Sequence, residues 1–178
     1  MVESKNIFKY FPQPIFQYKV ENFKNHNNEL AKYIYELYEE DKEGVSRSNR
    51  GGWHSKPFDL KDKNKPPFKF FMDIQIYVAN TFKEYGWRYT PGKVSLTEMW
   101  AIINKKNNFN LEHTHPNNYL SAAYYVKAPN NCGSFVVTNP NSVARERIPI
   151  SDNKTEFNQN IAHIKPEEGD LLLFPAYL

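Results

Sequence analysis

Two histidines separated by one residue are the side chains in this sequence with the clearest capacity for chemistry. They stand in the run His113-Thr114-His115, directly before Pro116. On an extended backbone, residues i and i+2 project to the same side, so the two imidazoles point to one place while Thr114 points away. Imidazole suits Fe, Zn, Cu and Ni alike as a ligand. The spacing therefore predicts part of a transition-metal site; the alternative is two histidines that end a strand in a polar loop.

Two further histidines are candidates to complete or line such a site. His163 lies just before the turn at residues 166–169 and is either a third metal ligand or a half-buried strand histidine. His54 follows Trp53 in the glycine-containing segment 46–55, where it either lines the site or lies at the surface. Nucleophilic catalysis is not indicated, because Cys132 lies in a turn without a histidine nearby in sequence and no G-x-S-x-G, P-loop or G-x-G-x-x-G motif occurs.

The elements that position these histidines change in character along the chain. Apolar residues at three- and four-residue spacing predict helices at 27–40 and 66–85, after an extended edge segment at 8–18 that contains two prolines. Short β-prone runs follow at 94–103, 119–127, 134–138 and 170–174, separated by turn residues. The His-x-His run lies between the first two of these strands. Helices followed by strands predict an α+β fold with helices packed on an antiparallel sheet or jelly roll.

Composition narrows the function classes. The 178 residues fit one domain, in which residues 1–92 supply the supporting helices and residues 93–178 the strand-rich core. Lys and Arg number 23 against 20 Asp and Glu, without a long run of one sign, so neither a nucleic-acid arm nor a membrane patch is indicated. No apolar run reaches the roughly 18 residues of a membrane span, and the start does not resemble a signal peptide. With Cys132 as the single cysteine, we expect a cytoplasmic protein without an internal disulfide.

Several motifs in a fixed order resemble the Fe(II)- and 2-oxoglutarate-dependent oxygenases, in particular a family found in bacteria and bacteriophages. Their order and spacing carry the resemblance, which covers nearly the whole chain. The motifs are Phe11-Pro12-Gln13-Pro14, the SNRGGWHS loop at 48–55, the W-x-x-x-N run at 100–104, the H-x-H-P run at 113–116, the LS-x-x-YY run at 120–125 and GDLLLFPAYL at 169–178.

The resemblance implies a double-stranded β-helix, or jelly roll, that holds one Fe(II) and binds 2-oxoglutarate. His113 matches the first metal ligand of the family, and His115 occupies the position of its usual carboxylate ligand, which leaves the site at a formal charge of +2 instead of +1. Asn104 and Tyr124 are then candidates to contact the co-substrate. The family's last metal histidine and its 2-oxoglutarate arginine would follow Leu178, and we expect the domain to continue past that residue because it ends within an apolar strand.

Three functions are open at this point. The first is an Fe(II)- and 2-oxoglutarate-dependent dioxygenase that hydroxylates a small molecule or peptide in the cytoplasm of a bacterium or a phage-infected host. The second is a cupin-like enzyme with three histidine ligands that does not use 2-oxoglutarate. The third is a non-catalytic jelly-roll module that binds a ligand such as a glycan through exposed Trp53, Trp87 and Trp100. The sequence does not fix the substrate or the oligomeric state.

Overall fold

The structure, a computed structural model, describes residues 4–146 and 149–178. These residues form four helices and nine strands. The helices are α1 (Phe23–Glu40), α2 (Pro66–Asp73), α3 (Gln75–Glu84) and α4 (Ser142–Glu146). The strands are β1 (Phe16–Lys19), β2 (Asn49–Arg50), β3 (Trp53–His54), β4 (Ile102–Ile103), β5 (Phe109–Asn110), β6 (Leu120–Tyr124), β7 (Phe135–Thr138), β8 (Ile161–Ile164) and β9 (Asp170–Pro175).

The first helix begins one turn earlier than the sequence predicts. It starts at Phe23 instead of Asn27, directly after Asn22, whose φ of 52° is left-handed. Because polar residues follow Phe23, the apolar periodicity of the sequence does not reveal this first turn. A tertiary contact holds this first turn in place. The ring of Phe23 packs so closely over Gly169 that a Cβ atom on residue 169 would overlap the ring.

The second predicted helix is divided in two at Ile74. This residue has φ −82° and ψ −4°, which lies between regular helical turns, and it separates α2 from α3. Ile74 is buried together with Phe70 of α2 in the main core. The irregular residue lets α3 leave the direction of α2 while Ile74 stays packed in that core. None of the helices in the described part of the chain combines enough length and apolar character to cross a lipid bilayer.

An antiparallel sheet of three strands, in the order β1-β9-β6, lies at the centre of the fold. Phe16 of β1 pairs with Leu173 of β9, and Ser121 of β6 pairs with Phe174 on the other side of that strand. Of the extended edge segment predicted at 8–18, only residues 16–18 belong to a strand, β1, which lies at one edge of this sheet. The predicted strands at 119–127, 134–138 and 170–174 contain β6, β7 and β9, with changed ends.

The predicted strand at 94–103 is wrong over most of its length, since only β4 is a strand there. The segment does run beside residues 55–58, through Ser55 N–H to Ala101 O and Phe58 N–H to Met99 O. A regular ladder does not form because the hydroxyl of Ser55 accepts the N–H of Ala101 and because Pro57 has no N–H to donate.

The remaining strands form three antiparallel ladders of two strands each, β2–β5, β3–β4 and β7–β8. The architecture is mixed helix and antiparallel strand, as predicted, and it is compatible with a jelly-roll fold. The strand pairs among residues 4–146 and 149–178 do not close into the complete double-stranded β-helix that the family resemblance implies.

Both faces of β9 are covered. Leu171 and Leu173 project to one side, where they join Val20, Leu30 and Phe70 in the main core beneath α1 and α2. On the opposite side, Phe174 packs against Phe135 of β7, with ring centroids 4.9 Å apart. This arrangement explains why β9 is a continuous apolar run: a strand that is buried on both faces has no polar side.

Candidate metal centre

An extended segment between β5 and β6 carries His113 and His115. Its start is held by the N–H of Leu111, which donates to Ser48 O at 2.9 Å. Its end is held by the N–H of His115, which donates to Ala176 O at 2.8 Å. A turn at Pro116 and Asn117 then leads the chain into β6, with Asn117 in the left-handed region at φ 65°. The segment is thus tied to the β2–β5 ladder at one end and to the end of β9 at the other.

The two imidazole rings of this segment lie next to each other. Their centroids are 5.0 Å apart and the rings are inclined by 51°. His113 is exposed, whereas His115 is half-buried. The edge of the Trp100 ring contacts His115, with centroids 5.8 Å apart.

Each histidine is held through Nδ1, which leaves Nε2 for another partner. Nδ1 of His113 donates to the carbonyl oxygen of Leu111 at 2.7 Å, so the neutral ring carries its lone pair on Nε2. Nδ1 of His115 lies 2.5 Å from Oγ of Ser121 in β6. Metal-bound histidines in proteins are oriented in this way, with the second ring nitrogen hydrogen-bonded to a carbonyl or another oxygen. The chemistry of this donor pair therefore fits two ligands of a transition metal.

The surroundings of His115 favour its neutral form. Burial lowers the pKa of His115 from its ordinary value of 6.5, and the neighbouring His113 lowers it further. Only the neutral imidazole has a lone pair for a metal. Two protein ligands are nevertheless an incomplete set. In residues 4–146 and 149–178, no group of three or more His, Cys, Asp or Glu side chains is arranged to hold a metal ion.

His54 lies behind the pair and not beside it. Its ring is buried and stacks on Trp100 at a centroid distance of 5.5 Å and an interplanar angle of 16°. Trp100 in turn contacts His115, so the indole stands between the two histidines. Nδ1 of His54 is hydrogen-bonded to Ser55 O. His54 is neither a surface residue nor a neighbour of His113, and its contact with the site passes through Trp100.

Asn104 lies at the glycine loop that precedes β3. Its Nδ2 donates to Oδ1 of Asn110 at 3.1 Å, and Asn110 donates to the hydroxyl of Ser48. A Cβ on Gly52 would overlap Oδ1 of Asn104, so a glycine is needed there for this close approach. The amide of Asn104 thus braces the strand that leads to His113. No hydrogen bond joins it to either site histidine.

Tyr124 points to the opposite side of the sheet from the candidate centre. It pairs with Leu171 in the β6–β9 ladder, whereas Ser121 pairs with Phe174, and these pairs lie on opposite faces. Its hydroxyl donates to Oδ1 of Asn27 at 2.6 Å, and its ring contacts Phe70. Burial raises the pKa of Tyr124 well above its ordinary value. The structure therefore places Tyr124 in the helix-facing core, and alternation along β6 gives Tyr125 the face of Ser121.

His163 lies in a strand ladder that contains none of the other candidate histidines. It lies in β8 opposite Val136 of β7, and its side chain is exposed. The structure does not bring it to His113 and His115 as a third ligand. The exposed tryptophans expected of a binding module also differ from the structure, because Trp53 is buried and Trp100 is half-buried. Trp87 is the member of that set that remains exposed.

Sequence reasoning alone did not identify Ser121 or the contact of Trp100 with His115. Both residues stand in motifs that carry the family resemblance, Ser121 in the LS-x-x-YY run and Trp100 in the W-x-x-x-N run. Their position in those motifs was the available signal. Their roles depend on how β6 and the segment before β4 lie around the histidine loop, which a linear pattern does not contain.

Comparison with known protein families gives a match to the second part of the chain. A family model described as "Putative 2OG-Fe(II) oxygenase" matches residues 98–178. That stretch contains Trp100, both site histidines, Ser121 and all of β9. No curated protein matches the sequence. The match supports a 2-oxoglutarate- and Fe(II)-dependent oxygenase family for residues 98–178, the part of the chain that carries the histidine pair.

Proposed function

We propose that the protein is an Fe(II)- and 2-oxoglutarate-dependent dioxygenase that hydroxylates its substrate, with the metal held by Nε2 of His113 and Nε2 of His115. The observation that carries the proposal is the orientation of this pair: both rings are adjacent and both are fixed through Nδ1. Imidazole nitrogens are ligands that Fe(II) accepts, and the pair lies within the segment that matches the oxygenase family.

The chain's own residues have separate tasks in this proposal. When bound, Fe(II) with 2-oxoglutarate and O₂ supplies the oxidation of a C–H bond and yields succinate and carbon dioxide. Leu111 O holds His113 in the tautomer with a free Nε2 lone pair, and Ser121 Oγ orients the ring of His115 through Nδ1. Trp100, backed by buried His54, covers one side of His115 and limits the access of water. A cytoplasmic location is part of the proposal and agrees with the free thiol of Cys132.

His113 and His115 supply two of the three protein ligands that a metal site of this kind needs. The N–H of His115 donates to Ala176 O, so the end of β9 fixes the backbone beside the pair.

Metal titration tests the assignment of the pair. We expect His113→Ala and His115→Ala each to weaken Co(II) binding by at least about tenfold, because each removes a direct ligand. His163→Ala is the matched control, since it removes an exposed histidine of the β7–β8 ladder. Calorimetry with Co(II), used in place of oxygen-sensitive Fe(II), measures the affinities. Equal weakening by all three substitutions, or by none, contradicts the assignment.

One observation favours a second candidate, a metalloenzyme with three histidine ligands that does not use 2-oxoglutarate. His115 is neutral where the family's usual ligand is a carboxylate, which leaves more positive charge on the metal. The two candidates differ in a single measurement on the protein loaded with Fe(II). Succinate formed from 2-oxoglutarate supports the dioxygenase. Metal binding without 2-oxoglutarate binding or succinate supports the second candidate.

A further inference from the structure

A row of neighbouring aromatic side chains, here called the aromatic shelf, lies at the surface beside β9. It consists of Tyr85, Trp87, Tyr119 and Tyr177. Tyr85 and Trp87 are stacked with centroids 4.3 Å apart, and Trp87 contacts Tyr119 at 6.1 Å. Tyr119 is 80% exposed, Tyr177 54% and Trp87 37%. Neighbouring rings left in water offer a large apolar contact area together with hydroxyl donors, as binding surfaces do.

The aromatic shelf and the candidate metal centre flank the same residue. The N–H of Ala176 donates to Tyr119 O at 3.2 Å, while Ala176 O accepts the N–H of His115. Tyr177 is the next residue along the chain. The backbone beside the shelf and the backbone of the histidine segment are therefore joined through this one residue.

One end of the shelf is already in contact with a proline-containing segment of the same chain. The hydroxyl of Tyr85 donates to Pro14 O at 3.2 Å, and the hydroxyl of Tyr177 donates to Oε1 of Gln13 at 2.5 Å. Residues 12–15 lie outside any helix or strand. Proline segments keep their carbonyl oxygens free and lose little entropy on binding, so hydroxyl-bearing aromatic surfaces take them readily.

From these contacts we propose that the aromatic shelf binds an extended, proline-containing polypeptide and that a polypeptide is the substrate class presented to the histidine pair. The inference rests on the proposed function for its second part. The internal segment leaves Trp87 and Tyr119 uncovered, so a second polypeptide has room beside it. The four shelf side chains are neutral, which favours a polypeptide over a nucleic-acid strand with its phosphates.

A peptide titration in the absence of metal tests the shelf directly. The probe is a ten-residue polyproline peptide, and a Gly-Ser peptide of equal length is the comparison. We expect polyproline to bind and the Gly-Ser peptide not to bind. Trp87→Ala and Tyr119→Ala are each expected to weaken polyproline binding about fivefold, the value of one aromatic contact. Tyr35→Ala is the matched control, because Tyr35 is an exposed tyrosine of α1.

The outcomes separate this inference from the proposed function. Absent polyproline binding, or binding that the two shelf variants leave unchanged, overturns the inference even when Co(II) binding is intact. Preferential binding of a cello-oligosaccharide or of oligo-dT to the same residues overturns the choice of a polypeptide. Polyproline binding that depends on the shelf, in a protein that binds neither Co(II) nor 2-oxoglutarate, supports the shelf and overturns the proposed function.

Discussion

The hydroxyl of Ser121 orients the ring of His115 and leaves Nε2 for another partner. Ser121 is buried in β6 at 7% exposure, and its Oγ holds Nδ1 of His115. Without that partner, the ring can rotate or change tautomer, and Nε2 loses its fixed direction. The same logic applies to His113, except that its partner is the backbone carbonyl of Leu111, which no substitution removes.

Replacing Ser121 by Ala should weaken Co(II) binding about 10–100-fold while His113 and His115 are both present, because the oriented lone pair of His115 is lost. Ser121→Thr keeps the hydroxyl and should restore most of the affinity. Calorimetric titration of the three proteins makes the comparison. An affinity in Ser121→Ala equal to that of the parent would show that the hydroxyl does not orient the ligand.

The sequence allowed the histidine pair to be predicted because the i, i+2 rule acts over three residues. The rule cannot predict which hydrogen-bond partners other strands supply to the two histidines. The face that Tyr124 occupies depends on the register of β6 against β9, and this register puts Tyr124 opposite Leu171 on the helix side. Asn104 was expected at the co-substrate, and its contact with Gly52 depends on a loop shape that composition does not determine.

Among the larger elements, the turn into β9 illustrates how a helix and a strand fix each other's place. Gly169 has φ +81°, a left-handed value, and lies directly under the Phe23 ring at the start of α1. Its N–H donates to Tyr125 O, and its carbonyl accepts the N–H of Val20. One residue thus joins the turn, the edge strand region and the first helical turn.

Gly169→Ala should lower the free energy of unfolding by about 2–4 kcal/mol, which combines the left-handed backbone cost with overpacking against Phe23. Gly133→Ala is the control for the first cost alone, since Gly133 has φ +87° and no heavy atom lies within 4 Å of the place that a Cβ would take. We expect it to cost about 1–2 kcal/mol. Urea unfolding gives both values. Equal losses in the two variants would argue against the packing role of Phe23.

Helices α1 to α3 and strands β6, β7 and β9 were predictable because each carries its own apolar pattern, whereas α4 and β8 were not predicted. The two-residue strands β2, β3, β4 and β5 do not, since their pairing depends on loops that meet only in the folded chain. The predicted strand at 94–103 shows the limit most clearly. Its β-branched and apolar residues are typical of a strand, yet a single serine hydroxyl and one proline across from it prevent a ladder.

At the scale of the whole molecule, the charged junction between β1 and β9 makes stability depend on pH. Asp170 is 2% exposed and accepts hydrogen bonds from Gln17 and the N–H of Glu167, while Lys19 lies 2.6 Å from its carboxylate. Burial alone raises the pKa of Asp170, but the hydrogen bonds from Lys19, Glu167 N–H and Gln17 outweigh it and hold the pKa below its ordinary 3.8.

A carboxyl whose pKa is lower in the folded state than in the unfolded state stabilises the fold above the unfolded value. The contribution of Asp170 should therefore be complete above about pH 5 and be lost as the pH falls below about 4. Asp170→Asn should cost about 3 kcal/mol at pH 7 and should show a shallower loss of stability between about pH 5 and 3. Urea unfolding at several pH values measures both effects.

Asp152→Asn, which changes an exposed carboxyl in residues 149–160, is the control for the general effect of removing one negative charge. It should leave the stability at pH 7 within about 0.5 kcal/mol of the parent. If Asp170→Asn keeps the full acid dependence of the parent protein, the buried carboxyl is not the source of that dependence.

The central position of β9 also governs when the protein can fold during its synthesis. Gln17 and Asp170 hydrogen-bond across a separation of 153 residues, and both neighbours of β9 precede it in the chain. The sheet cannot assemble on the ribosome until residues 170–175 have emerged, so β1 and β6 wait with unpaired edges and uncovered apolar faces. Such late, long-range pairing slows folding, and apolar surfaces and strand edges that stay exposed meanwhile are prone to aggregation.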